Sequence, residues 1–168
     1  MVRQALTIAA LFLLSACVQV APKNDTVFLV RHAEKTMEKT DPGLTEAGQA
    51  RAIALAERLE GEGITHIHSS DYIRTRDTAA PLAERLGLKV EIYDAGDLPS
   101  IAEKLKAIPG RHLVVGHSNT TPQLTELLGG DGGTPIVEAT EYDRLYVVTI
   151  EAGEPVKSYL TRYGAASK

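Results

Sequence analysis

The chain has 168 residues, 43% of them apolar and 24% charged, enough for one hydrophobic core and short of two. Its 18 basic and 22 acidic residues leave a net charge of −4, which offers no cationic surplus to a nucleic-acid backbone. One cysteine excludes a disulfide framework and a four-thiolate metal site, and the absence of tryptophan removes the usual stacking platform for sugars and bases.

Residues 1–16 carry Arg3, an apolar run from Ala5 to Leu14 and the small pair Ser15-Ala16, the layout of a signal peptide and too short for a span of about 20 residues. Leu14-Ser15-Ala16-Cys17 resembles the bacterial lipobox, which implies a lipidated Cys17 as the mature N-terminus; the alternative is an ordinary secretory signal with an incidental cysteine. Residues 17–25 then read as the lipidated cysteine and a tether, 26–164 as the folded domain and 165–168 as a frayed tail. These features imply export to the periplasmic side of a bacterial envelope, with membrane attachment through Cys17 and, since Val18 follows it, sorting to the outer membrane.

Residues 26–30 (TVFLV) form a compact apolar run expected of a buried strand. Residues 44–59 have helical periodicity opened by the capping-type Thr45. Strands follow at 64–68, 88–93 and 112–115, alternating with helices at 72–86, 98–108 and 121–128, the first of these irregular near Pro81. After Pro135 the pattern changes: 144–150 and 156–162 are separated by a hairpin-like spacer and read as antiparallel edge strands. The order predicts an α/β fold, a three-layer α/β/α sandwich on a mostly parallel central sheet.

In open α/β sheets ligands bind beyond the carboxyl ends of the strands. Those ends carry Arg31-His32 after the first strand, Ser69-Ser70 and Arg74 after the second, Asp94 after the third, and His117-Ser118-Asn119 after the fourth. Imidazole is a competent nucleophile, guanidinium forks grip phosphate oxygens, and a carboxylic acid can protonate a departing alkoxide, so the group suits phosphoryl transfer without demanding a metal or other cofactor.

VRHAEK at 30–35, LTEAGQARA at 44–52, SSDYIRTRDTA at 69–79, VVGHSN at 114–119 and YDRLYVV at 142–148, in that order, resemble the histidine phosphatase superfamily in its phosphoglycerate mutase-like branch. The resemblance implies that His32 becomes phosphorylated, that Arg31, Arg74 and His117 hold the transferring group, and that no metal takes part. The chain departs from the acid-phosphatase branch by having Ser118, not aspartate, after the second histidine. The mutase-like branch takes its acid from the loop after the third strand, where Asp94 is the first choice and Asp97 and Glu91 are the alternatives.

Other polar residues have plainer roles. His66 and His68 share a strand face, and without a third ligand they read as hydrogen-bonded or half-exposed. The dipeptide Arg111-His112 precedes a strand and belongs at the opposite end of the sheet. Arg76 reads as solvated or salt-bridged, Glu34 and Lys35 either as loop-ordering or substrate contacts or equally as surface ion pairs, Asn119 and Thr120 as helix caps, and residues 129–133 as a flexible turn by the pocket. The expected protein is an exported phosphatase acting on a small phosphomonoester or a phosphorylated envelope component. A phosphate-binding lipoprotein without turnover and, further off, a phosphomutase are the rival readings.

Overall fold

The computed structural model describes residues 24–167, so the expected leader, Cys17 and nearly all of the expected tether lie outside the described residues. In chain order the elements are β1 (Asp25–Arg31), α1 (Glu46–Leu59), β2 (His66–Ser70), α2 (Ile73–Leu86), β3 (Val90–Tyr93), α3 (Leu98–Ala107), β4 (Arg111–Gly116), α4 (Thr120–Leu127), β5 (Arg144–Ile150) and β6 (Lys157–Arg162). They build one six-stranded sheet in the order β3-β2-β4-β1-β5-β6. The first four strands are parallel; β5 is antiparallel to β1, and β6 to β5.

Side chains alternate across a strand, and β1 shows what that does here. Phe28 and Val30 point to the layer of α1 and α2 and pack with Leu55, Leu59 and Leu82. Val27 and Leu29 point the other way, to Ile101, Leu105 and Leu124 of α3 and α4. Each such side chain contributes about 1.5–3 kcal/mol by leaving water, so the sheet is clamped from both faces. The expected three-layer sandwich is the observed one.

The chain leaves β1 through α1, passes over the position of β4 to form β2 and β3, and returns through α3 to insert β4 beside β1. Helices therefore diverge to opposite faces from two adjacent strands, and a crevice opens at their carboxyl ends. Arg31 pairs with Gly116 across that boundary, which sets His32 and His117 next to each other just beyond the sheet.

Three local expectations need correction. The second strand runs two residues later than read from the apolar pattern, because Ser69 and Ser70 are buried in the sheet with their hydroxyls satisfied nearby: Ser69 Oγ donates to the Ser70 carbonyl and Ser70 Oγ to Thr75 Oγ1. Helix α2 continues unbroken through Pro81, whose missing bond would have gone to the carbonyl of exposed Asp77, where water can serve instead. The tail is tied down as far as Ser167: Arg51 Nη1 donates to the Ala165 carbonyl at 2.9 Å, and Ser167 bonds Tyr142 N and Asp143 Oδ2.

Candidate active site

The loop from β1 to α1 is built to hold His32 still. Gly48 in the first turn of α1 lies so close to this loop that a Cβ there would come within 2.3 Å of the Glu34 carbonyl oxygen, a contact only glycine permits. The Glu34 carboxylate is gripped by Arg51, whose Nε and Nη2 donate at 3.0 and 2.8 Å, so Glu34 orders the loop and does not face substrate. Thr78 Oγ1 accepts from Ala33 N at 3.0 Å, and His32 N donates to the Gly116 carbonyl at 2.9 Å.

The His32 ring is only 3% exposed at residue level, and its Nδ1 lies 2.8 Å from the Ala33 carbonyl. A carbonyl can only accept, so Nδ1 carries the proton and Nε2 keeps a free lone pair. Burial pushes its pKa down to about 3, with the charges of Arg31 and Arg74 acting in the same direction, and the imidazole is neutral at physiological pH. The His117 ring stands edge-on to it, centroids 5.5 Å apart, and burial brings its pKa down to about 4. Arg74 Nη2 approaches His117 Nδ1 at 3.4 Å and Ser70 Oγ lies 3.0 Å from Nε2. Ser70 and Thr75 thus position this ring; sequence reasoning gave neither of them that role.

Arg31 is 1% exposed and lies face-on over Tyr142 at 4.1 Å. Nη1 donates to the Glu141 carbonyl at 2.9 Å, while Nε and Nη2 have no partner among the described residues. Arg74 lies over Tyr72 at 4.4 Å and 3.7 Å from Asp41, with its Nε likewise unpartnered. His32, Arg74 and His117 line one cavity of about 490 Å³, with Lys35, Tyr72, Glu138 and residues 118–120 at the start of α4. Arg31 sits just behind its wall, close enough to lower the pKa of both histidines. Thr120 Oγ1 accepts from His117 N at 2.9 Å, whereas Asn119 makes no capping bond through its side chain.

Asp94 is not in this cavity. It borders two neighbouring ones, and its Oδ1 accepts from Gly96 N at 2.8 Å in a local turn. Asp97 caps α3 through Ser100 N, and Glu91 pairs with Lys104 at 2.7 Å. Among the described residues the carboxylate in the cavity wall is Glu138, from the loop between α4 and β5, which the sequence did not single out.

His66 and His68 acquire a third ring, because β4 pairs with β2 and brings His112 to within 4.7 and 5.3 Å of them. The rings stack, His68 Nε2 lies 3.1 Å from His112 Nδ1, and no metal-holding group of His, Cys, Asp or Glu occurs among the described residues. Arg76 is paired with Asp71, as expected of a surface ion pair.

Three buried histidines, His32, His68 and His112, and the partly buried His117 all have pKa values below the ordinary 6.5, in each case chiefly through burial. The unfolded chain therefore binds more protons than the folded one in acid, and stability rises with pH. The stabilisation is complete above pH 6.5 and is lost as pH falls toward the folded values, about 3 for His32 and about 4 for His68, on the order of 2 kcal/mol for each of these two by pH 5. Thermal unfolding across pH 5–8 should show Tm falling steeply below 6.5; a flat profile would contradict neutral, buried rings.

Residues 27–95 match the family model of the histidine phosphatase superfamily (branch 1). A relative named "Probable phosphoglycerate mutase GpmB" from Yersinia enterocolitica is 42% identical over 71 residues, covering 38% of this chain and 33% of the relative, and its namesake in Yersinia pestis (strain Pestoides F) is 42% identical over 69. The chain thus spans about a third of the length of the curated relatives it matches. Among solved structures, the protein histidine phosphatase SixA complexed with tungstate superposes with a TM-score of 0.68 at 19% identity, covering 82% of this chain and 96% of that one. The mycobacterial glucosyl-3-phosphoglycerate phosphatase Rv2419c gives 0.63 at 19% identity, covering 84% and 99%. The segment similar to that family model carries Arg31, His32 and Arg74, and the described domain shares its fold with these phosphatase structures.

Proposed function

We propose that the protein is a phosphatase that hydrolyses a phosphomonoester through a phosphohistidine at His32. The observation that carries this reading is Arg31: a buried guanidinium, without a carboxylate partner among the described residues, whose Nε and Nη2 are unsatisfied beside a neutral imidazole with a free Nε2. A buried cation is costly unless an anion meets it, and a tetrahedral dianion between Arg31, Arg74 and His117 supplies one. His32 Nε2 attacks phosphorus, the arginines and His117 stabilise the charge on the equatorial oxygens, and water then releases phosphate from His32. None of these steps calls on a metal.

The cavity is open, so a phosphate on a small molecule or on a larger envelope component can reach His32. SixA by name is a protein histidine phosphatase and Rv2419c a glucosyl-3-phosphoglycerate phosphatase, which supports reading the substrate as either a protein-borne or a small-molecule phosphate. With the leader and Cys17 read as above, the enzyme works on the periplasmic side of the envelope, tethered by its lipid.

The test is p-nitrophenyl phosphate turnover by the purified full chain in excess chelator, with an alkaline quench that preserves phosphohistidine for mass mapping. Turnover with a phosphate mass on the peptide containing His32 is the expected result. Phosphate binding without turnover or adduct would instead favour a phosphate-binding protein without turnover.

A further inference from the structure

We propose that Glu138 is the proton donor to the leaving group, and the base for the hydrolytic water, in the reaction proposed above; the inference rests on that reading and supplies its missing acid. In-line displacement puts the leaving oxygen opposite the attacking Nε2. His32 is buried at the cavity floor, so the leaving oxygen faces the mouth, and Glu138 is the exposed carboxylate in the wall there. Its charge reaches both Arg31 and His117, the groups assigned to the phosphate.

The other carboxylates nearby are committed elsewhere. Asp94 turns back onto Gly96, Asp41 serves Ile73 N and Arg74, and Asp97 caps α3. Glu138 makes no hydrogen bond or ion pair to another described residue, which leaves its carboxyl free to move a proton. Its backbone, by contrast, is fixed. The Arg144 guanidinium forks onto Glu141 at 2.7 and 2.8 Å, Glu141 Oε2 accepts from Val137 N at 3.1 Å, and Glu141 N donates to the Val137 carbonyl at 2.8 Å. This closed turn carries Glu138 between its ends, and the carbonyl of the same Glu141 holds Arg31. One loop therefore sets the phosphate-binding cation and the acid relative to each other.

The step balances. As the P–N bond to His32 forms and the ester P–O bond breaks, the carboxylic proton of Glu138 passes to the departing alkoxide. In the second half, water gives its proton to the Glu138 carboxylate while its oxygen attacks phosphorus, and the P–N electron pair returns to Nε2.

The experiment is single-turnover release of the leaving group by the full chain and its Glu138→Gln variant, with p-nitrophenyl phosphate and with 2-glycerophosphate. A phenolate leaves unaided and an alkoxide does not. Glu138→Gln should therefore lose about 10²–10³-fold on the alkyl ester and less than about 10-fold on the aryl ester, with an unchanged Tm and partial recovery in Glu138→Asp. Equal losses on both esters, no loss, the differential appearing in Asp94→Asn instead, or a parent that releases phenol but never the alcohol would each overturn the assignment. A His32→Ala variant that still hydrolyses the aryl ester would instead overturn the phosphohistidine reading, so the two failures are distinct.

Discussion

His32→Ala should reduce phosphomonoester hydrolysis by about 10⁴-fold or more while leaving phosphate binding nearly intact. Removing a nucleophile eliminates the covalent route altogether, whereas removing one of several charge-stabilising groups only raises the barrier on a route that survives. The phosphate contacts assigned to Arg31, Arg74 and His117 do not pass through the His32 side chain, so inorganic phosphate should still raise the Tm of the variant. The fold should tolerate the change, because the ring makes one hydrogen bond, to the Ala33 carbonyl, whose loss is of the order of 1 kcal/mol. The variant should even lose some acid sensitivity, since one of the imidazoles held neutral by burial is gone. Calorimetry with phosphate, beside the rate measurement, checks both halves; retained turnover would remove His32 from the chemistry.

Much of this site is legible because its histidines and Arg31 sit at the ends of apolar strands, where a local pattern meets a topological rule. The run Val27–Val30 fixes where β1 ends and hence where Arg31 and His32 emerge, and 113–115 does the same for His117. Ser69 and Ser70 mislead the eye because polar residues usually mark a strand's end, yet here they are buried and bonded within it. Asp94 lies outside the cavity lining for a reason that is local and readable: Asp94-Ala95-Gly96 is an Asx-turn sequence, and the turn engages the carboxylate with its own backbone. Glu138 has no comparable local mark. It lies in an irregular stretch, and what brings it to His32 is a fork between Arg144 and Glu141 together with a bond from Arg31 more than a hundred residues upstream. The His112 ring was placed at the wrong end for catalysis correctly, but its stacking on His66 depends on strand register, which the sequence pattern alone does not specify.

Arg31→Met should lower kcat/KM by about 10²–10³ without lowering Tm. The rate loss follows from deleting a preorganised cation at the point where phosphoryl charge develops. The stability expectation follows from the same environment: Arg31 is a buried charge with no carboxylate partner among the described residues, and burial pulls its pKa below the ordinary guanidinium value. Methionine of similar length keeps the contact with Tyr142, and the main loss is one donor to the Glu141 carbonyl at about 1 kcal/mol, against relief of a larger desolvation cost. The variant should also lose most of the Tm increase that inorganic phosphate gives the parent, because the anion no longer neutralises a buried cation. Arg31→Lys should recover little activity, since an ammonium restores the charge but not the two unsatisfied donors, Nε and Nη2, that a fork aims at phosphate oxygens. A large drop in Tm with activity retained would mean that Arg31 is a structural residue pinning the Glu141 loop, and would shift the phosphate site to Arg74 and His117.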